Sequence, residues 1–126
     1  MTSAPTRGQV ERSLSQRILA LYRNQLEHQP SQVSCQILSR KLVIVIEDSI
    51  TSPEQLLVEG GKTELVEQVR SSLNAAIEPQ IRSLVEEVLE VSVTDLLSDA
   101  KLDSGRTGII MMLSDAPQLR PAGSKA

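Results

Sequence analysis

The sequence contains no phenylalanine and no tryptophan, and Tyr22 is its only aromatic residue. A core must therefore be assembled from Leu, Ile, Val and Met, and the aromatic platforms on which bases and sugars stack are missing. Cysteine is equally scarce. Cys35 stands alone and can form no internal disulfide, and with His28 as the single histidine there is no paired Cys/His spacing of the zinc-binding kind. This usage fits a reducing compartment. No apolar run exceeds five residues, whereas crossing a bilayer takes about 20. The opening stretch, MTSAPTRGQVERSLSQ, also lacks the apolar segment of a signal peptide. A cytoplasmic, soluble protein without direct membrane insertion is expected. Positive charge is not in excess either, with 13 Lys and Arg against 16 Asp and Glu for a net charge of -3. General attraction to nucleic acid or to an anionic membrane surface is disfavoured, and no nucleic-acid partner is expected.

A chain of 126 residues with 40% hydrophobic content is the right size for one domain with a real core. Residues 1–8 and 116–126 are rich in Pro, Gly, Ser and Ala and read as disordered tails around a single domain at 9–115. Val10, Leu14, Ile18, Leu21 and Gln25 follow helical spacing, and the helix they predict should stop near His28 to Pro30. Residues 32–38 alternate, with Val33, Cys35 and Ile37 opposed to Ser34 and Gln36, and Ser39-Arg40 connects them to KLVIVIED at 41–48. A β-hairpin is the simplest reading. Ser52 then reads as a helix N-cap, with Pro53 at the first helical position and Gln55 closing a capping box, and Gly60-Gly61 ends that short helix.

A long helical pattern begins near Thr63 and runs through Leu65, Val69, Leu73, Ile77, Ile81, Leu84, Val85 and Val88, crossing Pro79 without a change of phase. Unbroken over 63–90 it would be about 42 Å long. A domain of this size is only about 35 Å across, so a kink or break at Pro79 is predicted. Strands resume at VSVTDLLSDAKL and, after DSGR, at TGIIMMLSD. The fold class is α+β: two β-hairpins form one four-stranded antiparallel sheet, with helices packed mainly on one face, in the order α-β-β-α-α-β-β.

Two strands are apolar without alternation, Leu42, Val43, Ile44, Val45 and Ile46 in one and Ile109, Ile110, Met111, Met112 and Leu113 in the other. A strand with one wet face alternates, so these should be inner strands covered on both sides. Leaving about five aliphatic side chains wet would forgo about 7 to 15 kcal/mol, comparable with the net stability of a whole domain. Either the first helix wraps to the second face or another chain docks there. The second is expected, which makes these ten residues a partner interface for a homodimer or for a protein client.

Other motifs carry less. EGGKTELV at 59–66 resembles the end of a phosphate-binding loop, but Leu56 stands where the first glycine belongs and a helix, not a strand, precedes it. His28 lies in a polar loop without a nucleophile, and Cys35 falls on the apolar side of a strand. Glu86, Glu87, Glu90, Asp95, Asp99 and Asp103 read as a solvated acidic face, and Arg70, Arg82 and Arg106 as surface ion-pairing residues. No catalytic, cofactor-binding or metal-binding residues are assigned, and no cofactor is expected.

The segments KLVIVIEDSITSPEQLLVEGGKTELVEQVR, IEPQIRSLVEEVLEVSV and LLSDAKLDSGRTGIIMMLSD, in that order within residues 32–115, resemble the MpsC-like family, and its cyanobacterial members most. This is a small soluble bacterial domain named after a component of a sodium-translocating, membrane-potential-generating system. The resemblance implies a link to ion or inorganic-carbon handling, through a membrane transporter partner or carboxysome assembly, and supplies no catalytic residues. The function expected is a non-enzymatic protein–protein interaction or assembly factor, with a small-ligand or ion sensor as the alternative.

Overall fold

The computed structural model describes residues 4–120. Helix α1 (Arg7–Leu26) opens on a reciprocal cap. The Gln9 N–H donates to the Thr6 hydroxyl at 3.2 Å, and the Thr6 N–H donates to the Gln9 side-chain oxygen at 2.9 Å. It ends at Glu27, which takes the left-handed conformation with φ 50°. Its buried stripe is Val10, Leu14, Ile18 and Tyr22, four residues apart. Tyr22 thus occupies the core position expected of Leu21, which is half-buried, and Gln25 faces solvent.

Strands β1 (Gln32–Leu38) and β2 (Lys41–Glu47) form the first hairpin, turning through Ser39 with φ 58°. Helix α2 (Ser52–Glu59) and helix α3 (Thr63–Leu89) follow, and β3 (Val93–Lys101) and β4 (Arg106–Leu113) form the second hairpin. The strands make one antiparallel sheet in the order β1-β2-β4-β3. The two apolar strands are its centre, and the α-β-β-α-α-β-β order and α+β class are those expected.

Two local details differ from expectation. The cap of α2 lies one residue earlier, at Thr51, which puts Pro53 at the second helical position and Glu54 at the third. It is Glu54, not Gln55, that reaches back, accepting from the Thr51 N–H at 3.1 Å and from its hydroxyl at 2.7 Å. Helix α3 also runs through Pro79 without a break, giving a length of about 40 Å. Around Arg70 it packs on α2, whose Glu54 it binds. There Val66 and Arg70 are buried, so the overhang is covered and the chain need not turn back.

One core cluster joins Val10, Leu14, Ile18 and Tyr22 of α1 and Ile77, Ile81, Val85 and Leu89 of α3 to one face of the sheet. Of the segments expected as tails, residues 6–8 cap and open α1, Pro117 is buried and Leu119 packs against the core. The Arg120 N–H also donates to the Pro5 carbonyl at 2.8 Å. Residues 1–3 and 121–126 of those segments lie outside the described residues.

Candidate functional site

Burial alternates along both central strands. The ten expected interface residues therefore divide. Leu42, Ile44, Ile46, Ile109, Met111 and Leu113 point into the core beneath the helices, at 5% exposure or less, and cannot meet a partner. Val43, Val45, Ile110 and Met112 lie on the other face, where α1 does not reach: its buried residues all belong to the core on the opposite side. Uninterrupted apolar sequence thus reflects one complete core face and one apolar open face.

Strand register maps the open face. Across the sheet, Gln36, Val43, Ile110 and Leu97 form one row, and Ser34, Val45, Gly108 and Asp99 form the row beside it. The outer rows are Leu38, Lys41, Met112 and Asp95 at one end, and Gln32, Glu47, Arg106 and Lys101 at the other. Ile110 is 43% exposed, Leu38 46% and Leu97 54%. These are large exposed side chains on one face of the sheet, with charged residues in the rows at both strand ends. Leu38 and Leu97 each follow an apolar residue of the core face, Ile37 and Leu96, so the sequence alone does not show which member of each pair faces outward.

A second constellation lies between α2 and α3. Arg70, expected at the surface, is buried with Glu54. Its Nε donates to Oε2 at 2.8 Å and its Nη2 to Oε1 at 2.5 Å, while Nη2 also donates to the Ser49 carbonyl at 2.8 Å. The Ser49 hydroxyl bonds the Gly105 carbonyl at 3.0 Å and pairs with the Thr107 hydroxyl at 2.8 Å, linking α3 through the segment between β2 and α2 to the second hairpin. Burial raises the Tyr22 phenol above its ordinary range, with Arg70 opposing and Glu54 adding. Its hydroxyl makes no hydrogen bond among the described residues. The spacing of 16 residues between Glu54 and Arg70 follows no periodicity, so only a tertiary contact reveals the pair.

Beside this network an open groove of about 920 Å³ runs between α3 and the end of β3. Arg70, Asn74 and Glu78 face Ser98, Lys101 and Asp103 across it, and the Ser98 hydroxyl donates to Glu78. Arg70 is already engaged by Glu54, so the groove offers mixed polarity without a free buried charge.

The remaining candidates are dispersed. Glu86 accepts from the Val93 N–H at 2.8 Å, Glu87 pairs with Arg17 at 3.2 Å, and Glu90 is the left-handed C-cap of α3. Asp95 and Asp99 sit on the open face and Asp103 in the β3–β4 turn. Among the described residues no three His, Cys, Asp or Glu are placed to hold a metal ion. Arg82 donates to the Val93 carbonyl at 2.6 Å and Arg106 to Glu47 at 2.7 Å. His28 donates from Nε2 to the Asp48 carbonyl at 2.5 Å, tying the loop after α1 to the end of β2. Burial pushes the Cys35 thiol up to about 11, Glu11 adding and a hydrogen bond with Ser15 opposing. Such a thiol is a poor nucleophile. Gly60 and Gly61 only turn the chain from α2 into α3.

Residues 6–115 fit the family described as "Na+-translocating membrane potential-generating system (MpsC)". The match begins at Thr6, the cap of α1, so it takes in the first helix as well as the three segments that carried the resemblance. No curated protein and no solved structure matches.

Proposed function

We propose a function for a chain that belongs to the MpsC family: it is a non-enzymatic protein–protein interaction or assembly component that works through the open face of its sheet. One observation carries the reading. Val43, Val45, Ile110, Met112, Leu97 and Leu38 form a continuous apolar surface, although the core on the opposite face is complete without them. Patches of this kind mark association sites.

The setting we propose is cytoplasmic and cyanobacterial, with a role in ion or inorganic-carbon handling. The family description names a sodium-translocating system, and no described helix is long and apolar enough to cross a membrane. On this reading the chain assists a membrane transporter or a carboxysome assembly step. The test replaces the chain in its own cells with a Val43→Lys, Val45→Lys variant whose folding is checked by circular dichroism. Loss of sodium-dependent or bicarbonate-dependent growth is expected; full function with a folded variant overturns the reading.

The groove beside Arg70 favours a second reading, a small-ligand or ion sensor, because its volume suits a small molecule. A ligand that binds only the folded state raises the melting temperature with concentration. A flat response to sodium, bicarbonate, divalent cations and nucleotides removes that reading.

A further inference from the structure

Gly108 is the third residue of β4, within its paired stretch and in the row of Ser34, Val45 and Asp99. Glycine weakens a strand interior, and it is kept there where a bulge, a bend or the close approach of another group requires it. None of the internal reasons applies. Gly108 pairs in regular register with Val45 and Asp99, is not among the positive-φ residues, and a Cβ built on it meets no atom within 4 Å. The hollow it leaves opens outward, directly beside the exposed knob of Ile110.

From this we infer that a second copy of the chain covers the open face, stacked on it about a two-fold axis that lies between the sheets and perpendicular to the strands. The inference rests on the interaction reading above and names its partner. That axis lays each strand antiparallel over its own copy and exchanges the rows end for end. Ile110 then enters the hollow over Gly108 of the other copy, and Val43 meets Val45. Glu47 comes over Lys41, and Lys101 over Asp95. Opposite charges thus meet at both ends, while Asp99 falls over Leu97 and Arg106 over Met112. An axis along the strands would pair only Glu47 with Arg106 and would set Lys41 over Met112, Asp95 over Leu38 and Lys101 over Gln32, leaving more charges desolvated without a partner.

Charge pairing within the chain supports this arrangement. Five ion pairs join the described residues; Glu47 is engaged by Arg106 in one of them, and none uses Lys41, Asp95 or Lys101. A four-stranded sheet with seven-residue strands measures about 19 by 23 Å. Two such faces remove about 900 Å² from water, below the roughly 1,200 Å² of a stable specific interface and in the range of weak, transient association. The dimer should therefore form and dissociate with concentration.

Light scattering on the full chain over a wide concentration range tests the inference, beside Gly108→Phe, Lys101→Glu, Asp95→Lys and the double reversal of the last two. The wild type is expected to pass from monomer to dimer. Each single change weakens the dimer at least about tenfold, because like charges or a filled hollow then oppose contact. The double reversal returns the dissociation constant to within about threefold. Thermal unfolding shows whether Gly108→Phe leaves the monomer folded; if it does not, the charge series alone decides. A wild type that stays monomeric, or a reversal that rescues nothing, overturns the second copy as occupant. Loss of cellular function in the Val43→Lys, Val45→Lys variant alongside a monomeric wild type would leave the interaction reading standing with a different partner.

Discussion

The guanidinium of Arg70 and the carboxylate of Glu54 face each other through two parallel hydrogen bonds, at 2.8 and 2.5 Å, with only 5% and 1% of their side chains exposed. Thr51 donates to the same carboxylate and the Ser49 carbonyl accepts from the same guanidinium, so both ions are satisfied inside the protein. Removing one partner strands the other. Glu54→Gln and Arg70→Met are each expected to cost about 3 to 5 kcal/mol in denaturant unfolding, whereas the double variant should cost clearly less than the sum. Strict additivity would show that the two groups act independently.

Helix α3 carries Pro79 on its exposed side. Proline has no N–H, so the Ala75 carbonyl lacks its helical donor, and the ring crowds that carbonyl. Since the helix continues through this point, Pro79→Ala should restore the bond and stabilise the protein by about 1 to 3 kcal/mol. The melting temperature checks this. A fall would mean that the packing of α3 depends on a bend set by the proline.

Much of this fold was legible because its signals are local and periodic. The alternation at 32–38 and the helical spacing from Val10 to Ile18 placed β1 and α1, and the unbroken runs at 42–46 and 109–113 placed the two central strands. The open apolar face was legible as a surplus of apolar strand residues, though not which residues lay on it. That depends on pairing register, which moves every side chain to the other face with a slip of one residue. The Glu54–Arg70 pair was not legible, since a buried ion pair and a surface one have the same composition. Continuity at Pro79 was missed because a length argument from a compact domain ignores that α3 packs in turn on α1, α2 and β3.

Cys35 provides a chemical test. With its thiol pushed up to about 11 from an ordinary 9.0, chiefly by burial, its thiolate fraction at neutral pH falls about 100-fold. Alkylation by iodoacetamide should therefore be at least about 100-fold slower in the folded chain than in denaturant. The sign for stability follows. The unfolded chain releases this proton first, so the contribution is complete below pH 9.0 and is lost as pH rises towards 11. Tyr22, also raised, acts in the same direction in the alkaline range. Cys35→Ala should flatten part of the decline in stability above pH 9.0, and an unchanged profile would mean that the thiol is not desolvated.

Ile44 and Val45 are chain neighbours with opposite fates. Ile44 pairs with Cys35 and Ile109 and is fully buried beneath the helices, whereas Val45 pairs with Ser34 and Gly108 on the open face. A lysine at position 44 would place an unpaired charge in a core without room or counter-ion, so Ile44→Lys should abolish cooperative folding. A lysine at position 45 can lay its stem over the sheet and keep its ammonium in water. Val45→Lys is therefore expected to fold within about 1 kcal/mol of the wild type, a typical surface effect. Urea unfolding of the two proteins compares them directly. Equal damage at both positions would mean that the open face is covered within the monomer and is not free to meet a partner.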